Sequence, residues 1–213
     1  MKHILIPTDF SANAWNALNY AACLFNYDHC TFYILHVEEL SNIAETKNST
    51  ALKTIEKQST TDYKLNHFFE QLAQLKKNVL HQFIALRDYG NFTDIIKKTV
   101  VEKKIDLIIM GSHGAEGLKE LFIGSNAEKV VRHSNTPVLV IKNNHEHFDI
   151  KEFVFASDFK NDNKETYAQA VKLAKLFNAK IHLLQINTKT DYNSIESSLT
   201  NIDLLLKKFS DFE

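Results

Sequence analysis

The chain has 213 residues, 44% of them hydrophobic and 24% charged. That suits one large or two small packed domains and excludes a disordered or fibrous chain. A formal net charge of −1 provides no global field for nucleic acid or an anionic membrane, so neither is expected as a partner.

The first residues, MKHILIPTDF, carry no long leader-like apolar run, and no stretch reaches the ~20 apolar residues that a bilayer span needs. Cys23 and Cys30 read as reduced packing residues, and the expectation is a cytoplasmic protein. His3 to Ile6 predicts a first strand ended by Pro7, which cannot donate to a sheet. Thr8-Asp9-Phe10-Ser11 is then a loop with Ser11 as N-cap. Ala14, Leu18, Ala21, Ala22 and Phe25 form one stripe of a helix, and Thr31 to Val37 is a β-branched and aromatic second strand. Glu38 to Thr61 is polar and reads as a loop. Helical spacing returns over Tyr63 to Lys77. Val79 to Leu86 predicts a third strand and Gly90-Asn91 a turn, with Asn91 capping a helix that ends at Lys103-Lys104.

The most informative stretch is Ile105 to Lys142. Ile105 to Met110 is a short apolar run suited to a strand buried on both faces. Gly111 lets the backbone turn, or lets a ligand come close, with no Cβ in the way. The pattern Gly111-x-x-Gly114, nine residues, Gly124-Ser125 leads into a helix whose free N–H groups would face back toward the strand end. Pro137 opens a last strand, Val138 to Ile141. Strand end, bare backbone and helix N-terminus together suit a phosphate. Five strands alternating with four helical segments imply an α/β fold with an open, doubly wound, five-stranded parallel sheet. Its ligands bind beyond the carboxyl ends of the strands.

The chain then restarts. After a polar linker over residues 143–150, FVFASDF (Phe153 to Phe159) repeats ILIPTDF (Ile4 to Phe10) 149 residues on, and the register holds to Ile186. This reads as a domain over residues 1–142 and a partial second copy over 151–213. Asp158 is the second Asp9. The counterpart of Gly111 would fall near position 260, beyond Glu213. A last helical stretch is expected from Ser194 to Phe209.

PTDFS after the first strand and MGSHG, the spaced glycines and AEKVVRHSNTPVLVI after the fourth resemble the universal stress protein family. The resemblance covers the whole first domain, and the restart resembles the family's tandem members. It implies a sheet of the adenine-nucleotide alpha-hydrolase-like kind that binds ATP in the nucleotide-binding members. It also implies a homodimer or intramolecular domain pairing through Val138 to Ile141. Carried over by position, Asp9 would accept hydrogen bonds from the nucleotide, with Pro7 and Thr8 beside it. Val37 would touch adenine, and Met110 and Gly111 would lie under the ribose and phosphates. Gly114, Gly124 and Ser125 would cradle the phosphates, with Asn126 next to them. Two departures stand out. Ala115 occupies a position often basic in the family, and polar Asn126 follows Ser125. With no lysine reaching the phosphates as one would in a P-loop, their binding would rest on backbone amides, Ser125 and a metal ion such as Mg2+.

His113 reads as a loop histidine that holds the turn, and His145-x-His147 as solvated linker residues. No Ser-His-Asp set, paired carboxylates or Cys-x-x-Cys supports fast catalysis. The expected function is a stress-response module that binds an adenine nucleotide and signals by association, with at most weak ATP hydrolysis. The alternative is a scaffold of the same fold that binds no nucleotide. An ATP pyrophosphatase is disfavoured because PTDFS lacks the SGGxDS loop such enzymes use.

Overall fold

The computed structural model describes residues 1–38, 62–68, 70–73, 78–112, 123–142, 150–157 and 164–185, and residues 200, 203, 204 and 207 beyond them. The chain divides into two compact units, Met1–Phe148 and Asp149–Glu213.

The first unit is the expected α/β sheet. Its elements run β1 (Lys2–Pro7), α1 (Ala12–Leu24), β2 (Cys30–Glu38), a helical segment α2 with residues 62–68 and 70–73 described, then β3 (His81–Tyr89), α3 (Phe92–Lys103), β4 (Leu107–Gly111), α4 (Ser125–His133) and β5 (Val138–Ile141). The strands lie in the order β3-β2-β1-β4-β5 and all pair in parallel. The order reverses between β1 and β4, so the crevice of this doubly wound sheet opens between their carboxyl ends.

Burial on both faces explains why β1 and β4 read as unbroken apolar runs. Leu5, Leu35, Ile108 and Met110 pack with Ile96 of α3 and Val130 of α4 on one face. α1 covers the other face through Ala14, Ala17, Leu18 and Ala21, while Trp15 meets Phe68 of α2 edge to face at 5.1 Å. The caps are local and fall where the sequence puts them. Ser11 Oγ accepts the Ala14 N–H, and Asn91 Oδ1 accepts those of Thr93 and Asp94.

Three expected boundaries move. The third strand starts at His81, not Val79, which is 97% exposed in a turn. Asn78 closes that turn by accepting the Leu80 N–H on its side chain and the His81 N–H on its carbonyl. Local hydrogen bonds thereby override the β propensity of Val79. The strand also runs on to Tyr89, because β2 continues to Glu38 and pairs with it there. The fourth strand starts at Leu107 rather than Ile105 and keeps Gly111 as its last residue.

In the second unit β6 (Glu152–Ala156), α5 (Lys164–Phe177) and β7 (Lys180–Leu184) form a parallel strand–helix–strand unit. His3 pairs with Thr31 and Glu152 with Lys180, each 28 residues apart. Thr8 N–H donates to Leu35 O, and Ser157 N–H donates to Leu184 O in the same register. The expected last helix is described only at residues 200, 203, 204 and 207, which are helical.

Both cysteines are free, as expected. Burial first, and the nearby Asp28 carboxylate second, push the Cys30 thiol up to about 11. The folded state therefore holds this proton more tightly than the unfolded state, whose thiol titrates near ~8.5. Its contribution to stability is complete below that value and is lost as pH rises toward 11. Between pH 8 and 11 the urea midpoint of the wild type should fall further than that of Cys30→Ala. Parallel declines in the two proteins would refute the assignment.

Candidate functional site

The crevice between β1 and β4 gathers most of the residues singled out in the sequence. On the β1 side, Pro7 pairs with Leu35 and is buried, and Thr8 is 7% exposed. The Thr8 hydroxyl accepts the Phe10 N–H at 3.0 Å, and Asp9 Oδ1 accepts the Ser11 N–H at 3.0 Å. Asp9 itself is exposed, so a buried strand end delivers one carboxylate to the edge of the sheet.

On the β4 side, packing alone requires Gly111 to lack a side chain. A Cβ built there would stand 2.9 Å from the Asn13 backbone oxygen and 3.0 Å from its carbonyl carbon. The missing side chain lets the end of β4 lie against the first turn of α1, so close packing accounts for this glycine. Met110 is likewise a core residue, 6% exposed and clustered with Ile108 and Val130. Gly114 lies outside the described residues, as do His113, His145, His147 and Asp158.

Ser112, which sequence reasoning passed over, ties the site together. Its N–H donates to Ile141 O at 2.9 Å, and its carbonyl accepts the Gly124 N–H at 2.6 Å. This pins the start of α4 to the end of β4. Gly124 is the N-cap in an extended conformation, and Glu128 N–H closes the first helical bond on its carbonyl at 2.9 Å. Ser11 and Asn91 cap their helices with side chains, whereas the start of α4 has no side-chain cap bond. The first-turn amides of Ser125, Asn126 and Ala127 thus precede the helix's own bonding and meet no side-chain acceptor among the described residues. Ser125 and Asn126 are exposed.

Val37 stands near the end of β2. It is partly buried against the α3–α4 face and pairs with Asp88. Next to it, Glu38 accepts a 2.7 Å bond from Arg87 Nε, and Arg87 Nη1 reaches Asp62 of α2 at 2.6 Å. Burial works most strongly against the Arg87 charge, but the hydrogen bond and charge of Glu38, with Tyr89 and Asp62, together outweigh it and raise its affinity for the proton. This bridge fastens β2, β3 and α2 beside Val37. Its partners lie 49 and 25 residues from Arg87, and no local pattern marks them. Among the described residues no group of three His, Cys, Asp or Glu could hold a metal.

The universal stress protein family model matches residues 1–142. Universal stress protein MJ0577 of Methanocaldococcus jannaschii is 32% identical over 154 residues, which cover 66% of this chain and 94% of that protein. The solved structure of MJ0577 matches with a TM-score of 0.56 at 29% identity, covering 68% of this chain and 98% of that one. A universal stress protein from Archaeoglobus fulgidus DSM 4304 is alike in fold over 98% of this chain and 73% of its own, with a TM-score of 0.63 at 19% identity.

The contact of Gly111 is with backbone, which cannot swing aside. Gly111→Ala should therefore lose ~1–3 kcal/mol of stability through overpacking. The measurement is the urea midpoint at unchanged m-value. A variant as stable as the wild type would mean that β4 and α1 do not meet this closely.

Proposed function

The chain belongs to the universal stress protein family, and from that premise we propose that its first unit binds an adenine nucleotide, ATP with Mg2+, in the crevice between β1 and β4. The observation that carries this reading is the uncapped start of α4, fixed by Ser112 at the carboxyl edge of the sheet. Free amides at a helix N-terminus suit a phosphate, which would supply the acceptors that the chain does not. Asp9 offers a carboxylate from the β1 loop for the nucleoside hydroxyls, and Val37 an apolar wall for adenine. Gly114 would join the phosphate cradle. The Ser125 hydroxyl and the phosphates themselves would hold the Mg2+.

On this reading the protein is a stress-response regulator and not a fast enzyme. Its occupancy is signalled by homodimer formation through Val138–Ile141, which forms an edge strand of the sheet. The free cysteines support a cytoplasmic setting. The matching strand register and strand-end hydrogen bonds of the second unit support a tandem repeat.

One observation favours a second reading, a scaffold that binds no nucleotide. Gly111 and Met110 are both accounted for by packing alone.

A thermal shift separates the two. ATP at 100 times its dissociation constant adds ~2.7 kcal/mol, or roughly 5–11 °C in Tm for a chain of this size. No shift in millimolar Mg-ATP would leave the scaffold. Gly124→Val should abolish the shift while the fold survives, because a branched side chain would stand at the phosphate side of the N-cap. Steady release of ADP well above that of the Gly124→Val protein would point instead to an enzyme.

A further inference from the structure

Phe10 adopts a left-handed backbone conformation, with φ at 63°. Bulky side chains rarely take this region, and glycine takes it freely. The reversal has a local use. With the chain turned at Phe10, the Thr8 hydroxyl accepts the Phe10 N–H, Asp9 accepts the Ser11 N–H, and Ser11 caps α1. A glycine would do all of this without strain, so the phenylalanine ring must supply something more.

The ring is held from two sides. It lies 4.5 Å from the His36 imidazole at an interplanar angle of 35°, and it meets Phe68 of α2 edge to face at 5.8 Å. Phe68 is 2% exposed, so this is a fixed wall. His36 in turn grips the loop on the other side of Asp9. Its Nδ1 lies 2.8 Å from the Thr8 carbonyl oxygen, which can only accept, so Nδ1 carries the proton and donates. One imidazole thus fixes the peptide before Asp9 through a hydrogen bond and the residue after it through ring contact. Asp9 is the exposed residue between these two anchors.

We propose that Phe10 and His36 form a latch that positions the Asp9 carboxylate for the nucleotide before the nucleotide arrives. This inference rests on the nucleotide reading of the crevice. Asp9 would meet the ligand, while Phe10 and His36 act through it as positioning residues. A carboxylate already aimed loses less freedom on binding, and affinity gains accordingly. The latch also connects α2 to the site, since Phe68 touches both the Phe10 ring and Trp15 of α1.

The test is a double-mutant cycle on Mg-ATP affinity, measured by calorimetry on the full chain. Phe10→Gly keeps the left-handed turn and removes the ring; Asp9→Asn removes the charge. Each single variant should weaken binding about tenfold, and the double variant should bind no worse than the weaker single one, because an unaimed carboxylate has little left to lose. Phe10→Tyr, which keeps the ring, should bind like the wild type. Additive losses in the cycle, or wild-type affinity in Phe10→Gly, would overturn the latch and leave the nucleotide site standing. Wild-type protein that binds no Mg-ATP would remove both. Should Phe10→Gly fail to fold by circular dichroism, His36→Leu takes its place in the same cycle. It cuts the bond to the Thr8 carbonyl and is read the same way.

Discussion

Everything at the carboxyl edge of the first sheet depends on how closely β4 approaches α1. The approach is closest at Gly111, where even a methyl group would stand 2.9 Å from the Asn13 carbonyl oxygen. Because β4 can come in this far, the carboxyl ends of β1 and β4 stand beside the first turn of α1 at one edge of the sheet. The constraint acts on two chain ends at once. It seats the first turn of α1, which Ser11 caps, and through Ser112 it fixes where α4 begins. Gly111 is therefore the joint that holds these chain ends together.

What the sequence reveals follows the range of the interaction. Caps at Ser11 and Asn91 were readable because donor and acceptor lie within three residues, and both are in place. The three central strands β1, β2 and β4 were readable because burial on both faces leaves continuous apolar runs. The start of β3 was not, since Val79 has every β propensity and loses to a turn made by Asn78 three residues before the strand. The packing of Gly111 was not readable, its neighbour Asn13 being nearly a hundred positions away in the chain. The bridge from Arg87 to Glu38 and Asp62 was not readable either, because its partners lie 49 and 25 positions away. Phe10 gave no warning at all, because left-handed backbone is signalled by glycine or asparagine and not by a large ring.

The second unit shows what a strand–helix–strand piece can and cannot bury. Its strands pair in the register of β1 and β2, and its strand-end hydrogen bond matches theirs. The helix α5 covers one face, where Tyr167, Ala170 and Ala174 are buried. On the other face Val154 is 61% exposed and Leu184 is 42% exposed, whereas Leu5 and Leu35, at the same positions of the first unit, are 0% and 1% exposed. The difference lies in α3 and α4, which cover that face of the first unit. Sequence similarity of the strands thus carries the pairing but not the burial, which comes from elements further along the chain.

The same distinction bears on the anion site. A P-loop announces itself through a lysine, a side chain that sequence can name. In the proposed site the means for holding a phosphate would be mostly main chain: three amides at the start of α4 without a side-chain cap, aimed by a backbone bond from Gly124 to Ser112. Such a site depends on where the helix starts more than on which residues occupy its first turn. Many side chains could replace Asn126 without removing a donor, but a shift in the start of α4 would remove all three. The Ser112–Gly124 bond is therefore the feature that any nucleotide binding in this crevice would depend on most, and it contains no side-chain atom.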